Sequence, residues 1–312
     1  MDRIPLFRMV AVVLLAMLVG EGRTAAQDQT PKTPPIGPDA ARPFSLFLAT
    51  AYNGDLGSQD SNSFLRQPGD SSNANGGAKS HDYREISDFF NVREANVNTT
   101  PGEWELELEG EWVTGAGGDD DFTFTPNIKY GLNDDMFIEL EVRPLVIGDG
   151  GDQGNGDTSL QLFYQIARET DTLPAFATWA EARFPTGEGS SGVDGELHFN
   201  LTETLMTDVR GHLEGFVETA NGGRGDEGDG RRSFQWGAGI GVDCQIDDLT
   251  ICTMNYLNRS SEEYGNSNQQ ILELGGVREI AENQHVKLAL EIGLDDDETP
   301  DFGVKSLWSI EW

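Results

Sequence analysis

Cysteine is scarce in this chain, which has only Cys244 and Cys252 among its 312 residues. Two cysteines are too few for a disulfide scaffold or a cysteine-rich metal site. Basic residues are scarce as well, since 21 Lys and Arg stand against 54 Asp and Glu, for a formal net charge of −33. This imbalance argues against a nucleic-acid partner, because phosphate binding needs a surplus of basic side chains. The mean hydropathy of −0.44 excludes a bundle of transmembrane helices.

The one long apolar run lies at the N-terminus and has the organisation of an export signal. Arg3 and Arg8 precede an apolar stretch over residues 9–20, and small residues at 24–26 offer a cleavage site. The stretch is shorter than the roughly 20 residues that cross a bilayer as a helix. A signal peptide over residues 1–26 is therefore favoured over an N-terminal anchor, and export is predicted.

Residues 27–100 form a predicted N-terminal extension that is rich in Pro, Ser, Asn and Gly. Such a composition buries little apolar surface, so we expect the extension to be largely disordered. We place it in the periplasm or threaded through a lumen. A short apolar stretch at residues 44–52 has the character of a strand, so a fold with two further strands from residues 44–98 stays open.

The chain from residue 101 to residue 312 alternates between apolar and polar residues. In its first segment Trp104, Leu106 and Leu108 share one face, and Glu105 and Glu107 share the other. A period of two over about ten residues is typical of a β-strand with one apolar and one polar face. Segments of this length, roughly 9–13 residues, suit tilted membrane-spanning strands. Twelve segments start near residues 102, 121, 136, 157, 174, 193, 205, 232, 249, 269, 284 and 301.

The connections between these segments indicate a transmembrane barrel. Those after odd-numbered segments are long and rich in Gly and Asp, and those after even-numbered segments are mostly tight turns, as in outer-membrane barrels. Pro126 and Pro144 fall inside predicted strands, and we expect them at bulges or rims because proline removes a ladder donor. Aromatic residues near segment ends would form girdles at the two membrane interfaces. These are Trp104, Trp112, Tyr130, Tyr164, Trp308 and Trp312.

The last segment, VKSLWSIEW, ends the chain on an aromatic residue. Its residues Trp308, Ile310 and Trp312 share one face with Val304 and resemble the barrel assembly signal of bacterial outer-membrane proteins. The fold predicted from all these patterns is all-β, a single-chain antiparallel transmembrane β-barrel of about twelve strands over residues 101–312.

Four stretches resemble the outer-membrane β-barrel transporter family named for the MetA pathway of phenol degradation. They are TPNIKYGLNDDMFIELEV, GDTSLQLFYQI, PAFATWAEARFPTG and DFGVKSLWSIEW, in an order that covers roughly residues 95–312. The resemblance implies an outer-membrane channel, with aromatic or other apolar nutrients as one class of solute. It brings no catalytic residues to this chain.

The polar face of each strand would line the lumen of such a barrel. An acidic wall would favour cations and repel anions, as charged rings do in pores. The alternative is a solvated polar face without a role in selectivity. The predicted selectivity residues are Glu103, Glu105, Glu107, Glu109, Glu111, Glu139, Glu141, Arg143, Arg183, Arg210, Glu214 and Lys287.

Other candidate sites are weaker. Cys244 and Cys252 flank a short turn that would place them opposite each other, so they form either a disulfide or two free thiols. Acidic residues in the long connections have oxygen ligands suited to Ca²⁺, but without EF-hand spacing they are interpreted as solvated loops. His198 and His212 lack a third ligand and are interpreted as lumen or surface residues. The sequence therefore predicts no metal and no cofactor.

The function that these patterns favour is passive uptake of small solutes across the outer membrane of a Gram-negative-type bacterium, without enzymatic activity. The expected partners are outer-membrane lipid and lipopolysaccharide, the barrel assembly machinery at the C-terminal strand, and a small-molecule solute. The alternative from another class is a secreted soluble β-sandwich or carbohydrate-binding module. A barrel enzyme with an active site at its rim is a third reading, although no Gly-x-Ser-x-Gly motif is present.

Overall fold

The computed structural model describes residues 86–114, 120–148, 153–187, 190–220, 232–262, 265–295 and 301–312. The predicted signal peptide and the extension up to residue 85 lie outside these ranges. The described residues contain fourteen β-strands, and among them there is no helix long and apolar enough to cross a membrane. The strands are β1 Trp104–Thr114, β2 Asp120–Asn133, β3 Met136–Glu141, β4 Leu145–Ile147, β5 Gln153–Gly154, β6 Thr158–Ala167, β7 Ala175–Phe184, β8 Asp194–Met206, β9 Val209–Thr219, β10 Phe234–Asp247, β11 Thr250–Arg259, β12 Gln269–Ala281, β13 Gln284–Gly293 and β14 Phe302–Glu311.

The sheet closes on itself, because β1 pairs with strands at both of its edges. Leu106 lies opposite Ile128 of β2 on one side and opposite Ile310 of β14 on the other. All strand pairings are antiparallel, and β4 and β5 are short extensions of β3 and β6 towards one rim. The all-β antiparallel barrel of about twelve strands is therefore confirmed. Each barrel strand starts within four residues of its predicted start, the largest difference being at β9, predicted near 205 and observed at Val209.

The barrel has its apolar side chains outside and its charged side chains inside. On β13, Leu288 is 55% exposed whereas the adjacent Lys287 is 0% exposed. On β1, Trp104 is exposed, and Glu105 and Glu107 are buried. The β-sandwich alternative is wrong, because the apolar stripes face outwards from a closed barrel and do not meet between two sheets.

The two rims of the barrel differ in their connections. At one rim, called the turn end here, short turns join β2 to β3, β8 to β9, β10 to β11 and β12 to β13, and β1 begins there. The other rim, the loop end, carries the longer connections. Aromatic rings lie on the outer face near both rims: Trp104 and Tyr130 are 4.6 Å apart at the turn end, and Trp112 and Phe302 are 6.3 Å apart at the loop end. Such pairs suit the two interfaces of a bilayer.

The interruption between β3 and β4 has a local cause. Pro126 lies in the middle of β2, and its carbonyl accepts a hydrogen bond of 3.1 Å from the N–H of Val142, between β3 and β4. The nitrogen and carbonyl of a strand residue face the same neighbour, so the ring nitrogen of Pro126 also faces β3 and β4. Proline has no N–H to donate, and the ladder on this side is broken between Glu141 and Leu145. Pro144 lies within the break, as expected for a proline at an interruption.

The lumen is occupied by the chain that precedes β1. Residues 86–99, called the plug here, form no strand, and Ile86, Phe90 and Val92 are almost completely buried. Of the two locations predicted for the extension, the described part therefore occupies the lumen. The apolar cores lie between plug and wall: one contains Ile86, Phe89, Phe90, Ile251, Val277, Ala289 and Leu307, and the other contains Ala95, Phe137, Phe163, Ala175, Ala177 and Trp179.

Candidate functional site

The plug satisfies its backbone donors with side chains of the wall. The N–H groups of Asn91, Arg93 and Ala95 donate to Glu273 Oε1 at 3.0 Å, Glu214 Oε2 at 2.9 Å and Thr202 Oγ1 at 2.8 Å. Buried backbone donors need partners, and a segment outside a sheet finds them among side chains, as here, or within itself, as the N–H of Glu94 does at the carbonyl of Ile86. The polar lumen face therefore provides the hydrogen bonds that a neighbouring strand would otherwise provide.

A buried lysine that the sequence analysis did not select neutralises the first part of the acidic wall. The register places Lys129 of β2 directly between Glu105 of β1 and Glu139 of β3. Its Nζ lies 2.6 Å from Glu107, 3.5 Å from Asp88 and 3.9 Å from both Glu105 and Glu139. Carboxylate oxygens of Asp88, Glu107 and Glu139 approach one another closely enough to hold a metal ion. The ammonium group of Lys129 already lies among them, so the cluster is an ion-pair network.

Two further lysines join the wall to the plug. Lys287 Nζ lies 3.1 Å from Glu107 Oε1 and donates to Ser87 Oγ of the plug at 3.0 Å. Lys305 Nζ lies 2.9 Å from Glu273 and 3.0 Å from Glu291. Glu291 in turn accepts a hydrogen bond of 2.7 Å from the side-chain amide of the plug residue Asn91. These contacts place both lysines, the carboxylates and the plug in one network.

Arg210 holds the opposite side of the plug. Its guanidinium lies 2.6 Å from Glu94 of the plug and 2.5 Å from Asp243 of β10. His212 Nε2 lies 3.0 Å from the same Asp243 carboxylate, and its Nδ1 lies 2.9 Å from Thr202 Oγ1. In such a buried network the removal of one charged member is strongly destabilising, because its partner stays buried without compensation.

The two charged carboxylates of the plug differ in their titration. Burial raises the pKa of Asp88, but Lys129, Arg93 and Lys287 outweigh this effect and hold its pKa below its ordinary value. Burial likewise raises the pKa of Glu94, and Arg210 offsets only part of that increase. Asp88 is therefore the plug carboxylate that stays ionised most persistently as the pH falls.

Two inward-facing glycines make room for the plug. A Cβ on Gly239 would lie 2.6 Å from Val92 Cγ2, and a Cβ on Gly275 would lie 2.5 Å from the ring of Phe90. Both distances are far below van der Waals contact, so any larger residue at either position would displace the plug or the wall. The barrel sequence is thus shaped to accept residues 86–99.

A cavity of about 380 Å³ lies on the loop-end side of Asp88 and Phe89, between the plug and β1 to β4. It holds several of the predicted selectivity residues. Arg143, the single basic residue among the described lining residues, lies 2.7 Å from Glu141, so carboxylates outnumber basic groups in the lining. The carboxylates of the lining are Asp88, Glu107, Glu109, Glu111 and Glu141.

The remaining predicted selectivity residues lie elsewhere. Glu103 precedes β1 at the turn end, where its carboxylate accepts hydrogen bonds from the backbone and side chain of Thr100. Arg183 lies 2.5 Å from Glu196, with two more carboxylates at 3.5 Å. Glu214 lies 2.5 Å from His198 Nδ1, and its Oε2 also accepts the hydrogen bond from the backbone N–H of Arg93 in the plug.

Cys244 and Cys252 lie directly opposite each other in the β10–β11 register, as the turn predicted. Both are free thiols in the structure, at outward-facing positions of their strands near the turn end. A disulfide between them stays a prediction.

The C-terminal strand closes the barrel. Backbone hydrogen bonds of 3.0 and 2.9 Å join Trp104 to Trp312 at the junction of β1 and β14. Trp308, Ile310 and Trp312 occupy outward-facing positions, whereas Lys305, Leu307 and Ser309 are buried. This geometry fits the predicted assembly signal, whose role in barrel assembly stays a prediction.

No family model matches this chain, and no curated protein matches it. Among solved structures, the COG4313 outer membrane channel from Pseudomonas putida F1 is similar, with a TM-score of 0.56 and 12% identity over 69% of this chain and 97% of that chain. The NanC porin is similar with a TM-score of 0.51 and 10% identity, over 66% of this chain and 98% of that chain. At these identities the likeness concerns the fold, and the chain therefore has the β-barrel fold found in outer-membrane channels.

Proposed function

We propose that the chain is a passive channel of the outer membrane of a Gram-negative-type bacterium, reached by signal-peptide export, and that it carries out no covalent chemistry. The observation that carries this proposal is the closed barrel with its apolar face outside and its charged face inside. Exposure of an apolar outer face to water is unfavourable in free energy, whereas hydrocarbon lipid accommodates such a face without this cost. Lipid and lipopolysaccharide are the partners proposed for this face, and the barrel assembly machinery is the partner proposed for β14.

The charge of the cavity supports a preference for cationic or neutral solutes. The loop-end cavity is lined by five carboxylates and one arginine. Lys129 and Lys287 contact Glu107 at its inner end, but no lysine is among the described lining residues. Excess charge of one sign at a pore mouth concentrates counter-ions and repels co-ions. The acidic wall predicted from the sequence is thus proposed to act at the loop end.

The plug supports a closed resting state. Residues 86–99 cross the lumen and are held by the ion pair of Glu94 with Arg210 and by hydrogen bonds with Lys287 and Glu214. In the proposed cycle, passage of a solute requires that part of the plug moves away from the wall. We also propose that the chain belongs to the MetA-pathway family. The resemblance to that family implies apolar nutrients as solutes, whereas the polar lining of the cavity favours charged solutes.

Reversal potentials in planar bilayers under a salt gradient test this proposal. The plug-deleted variant, which lacks residues 86–99, is expected to conduct, and its reversal potential is expected to shift towards the equilibrium potential of the cation. In that background Glu109→Gln with Glu111→Gln is expected to reduce the shift, because it removes two carboxylates from the cavity. Asp135→Asn, in a turn at the opposite rim, is the matched control and is expected to change it less.

Two results would contradict the proposal in different parts. Anion preference in the plug-deleted variant would contradict selectivity by the acidic cavity. A barrel that inserts, carries no plug and passes no current would contradict the channel itself. Liposome swelling with charged, neutral and apolar solutes would then rank the solute classes.

A further inference from the structure

A row of five aromatic rings crosses the inner wall of the barrel. The strand register places Phe137 beside Phe163, Phe163 beside Trp179, Trp179 beside His198 and His198 beside Phe216. Phe137 and Phe163 stack with centroids 4.9 Å apart, and His198 stacks at 3.5 Å on Trp179 and at 4.6 Å on Phe216. Five neighbouring strands, β3 and β6 to β9, contribute one ring each to this inner aromatic row.

One cation of the plug already occupies the row. The guanidinium carbon of Arg93 lies 4.5 Å from the ring centre of Phe163, 5.1 Å from that of Phe137 and 5.8 Å from that of Trp179. These distances fall within the range in which a cation is attracted to the face of an aromatic ring. Arg93 is 2% exposed, so water does not weaken this attraction.

The polar contacts of the guanidinium are few. Nη1 donates to Gln161 Oε1 at 2.9 Å and lies 3.9 Å from Asp88 Oδ2. Nη2 has no hydrogen-bond partner among the described residues. The wall therefore holds this cation mainly through ring faces and one neutral acceptor, which is the arrangement that aromatic cages use for organic cations.

The aromatic site adjoins the acidic cavity. Asp88 contacts Arg93 and also lines the cavity, so a cation held in the cavity is one side chain away from the inner aromatic row. A solute that entered at the loop end would meet carboxylates first and ring faces next.

We propose that Phe137, Phe163, Trp179 and Gln161 form a binding site for organic cations of the guanidinium or alkylammonium class, and that Arg93 is its resident occupant in the closed state. The proposal rests on the proposed function, because it assigns a solute class to the same lumen. A permeating cation would replace Arg93 on the rings and so compete with the docked plug.

Guanidinium rescue of the Arg93→Ala chain tests the proposal. Without Arg93 the plug loses its cation–π contacts with the rings, so the open fraction in planar bilayers is expected to rise by on the order of tenfold. Guanidinium at millimolar concentration is expected to fill the vacated site and reduce that current. Urea has the same planar shape without the charge and is expected to have no effect. Arg93→Gln is the second variant if Arg93→Ala fails to fold.

A ring variant tests the assignment to the inner wall. In the Arg93→Ala background, Phe163→Leu is expected to abolish the guanidinium effect. Phe176→Leu is the matched control, because Phe176 lies at an outward-facing position of β7 and stacks on Phe199. An equal response to urea, or a guanidinium effect that survives Phe163→Leu, would overturn the site.

Calorimetric titration of guanidinium into detergent-solubilised Arg93→Ala barrel separates this proposal from the channel proposal. Binding without conduction in the Arg93→Ala and plug-deleted chains would support the cation site and contradict the channel. Conduction without binding would support the channel and overturn the cation site.

Discussion

Replacement of Lys129 by methionine removes the single ammonium group shared by four carboxylates of wall and plug. Lys129 is 0% exposed, and its Nζ lies 2.6 Å from Glu107 and within 3.9 Å of Asp88, Glu105 and Glu139. Methionine retains much of the side-chain volume, so the substitution changes charge more than packing. Lys287 also contacts Glu107 at 3.1 Å and Arg93 lies 3.9 Å from Asp88, but both cations are farther from these carboxylates than Lys129 is.

Breaking a buried ion pair by removing one partner costs about 3–5 kcal/mol, because the remaining charge stays buried without compensation. For a chain of this size each kcal/mol lowers the melting temperature by about 2–4 °C, so the expected decrease is roughly 6–20 °C. The matched control is Arg168→Met. Arg168 is 63% exposed and pairs at 2.8 Å with Asp135 at the turn end, so its loss is expected to cost about 0–1 kcal/mol.

The assay is the loss of the folded, heat-modifiable band of purified barrel in detergent during a temperature ramp. The ramp is run at about pH 7 and about pH 4. Protonation of the carboxylates at the lower pH removes the uncompensated charge, so the deficit of Lys129→Met is expected to narrow there. Equal melting temperatures for Lys129→Met and Arg168→Met, or a deficit that widens in acid, would refute the electrostatic reasoning.

Two further predictions concern the plug and the closing strand. Gly239→Ala is expected to raise the open fraction in planar bilayers several-fold, because its Cβ would lie 2.6 Å from Val92 of the plug. Gly215→Ala is the control, because a Cβ there would meet only a backbone oxygen at 4.0 Å. Equal currents for the two variants would count against a docked plug. Trp312→Ala is expected to reduce the heat-modifiable fraction in isolated outer membranes more than Trp236→Ala, an exposed tryptophan on β10, and an equal effect of both would remove the special role of the C-terminal residue.

Strand positions and facing directions could be predicted from the sequence because both are local properties. Side chains of a strand alternate between its two faces, so the run from Trp104 to Glu111 already separates the lipid face from the lumen face. The same reasoning placed most of the predicted carboxylates inside. Glu103 is the exception, since it precedes β1 and its carboxylate accepts a hydrogen bond from the backbone of Thr100.

The plug could not be predicted to this detail. Residues 86–99 have no period of two or of 3.6, so nothing in them marks a buried segment. The sequence alone predicts Arg93 and Asp88 to be surface residues, because charged side chains are seldom buried without partners. Most of their partners lie on distant strands of the wall. The close approach of the plug to Gly239 and Gly275 is likewise evident only from the three-dimensional structure.

The sequence by itself predicted about twelve barrel strands, their starts to within four residues and, for most of them, which face is apolar, because these follow from spacing within ten or so neighbouring residues. Tertiary structure alone decided which charges compensate one another and what fills the lumen. Lys287 and Ser87 are 200 positions apart, and Lys287 and Glu107 are 180 apart. Only closure of the sheet, with β1 paired to β14 around the plug, brings such distant groups within hydrogen-bond distance.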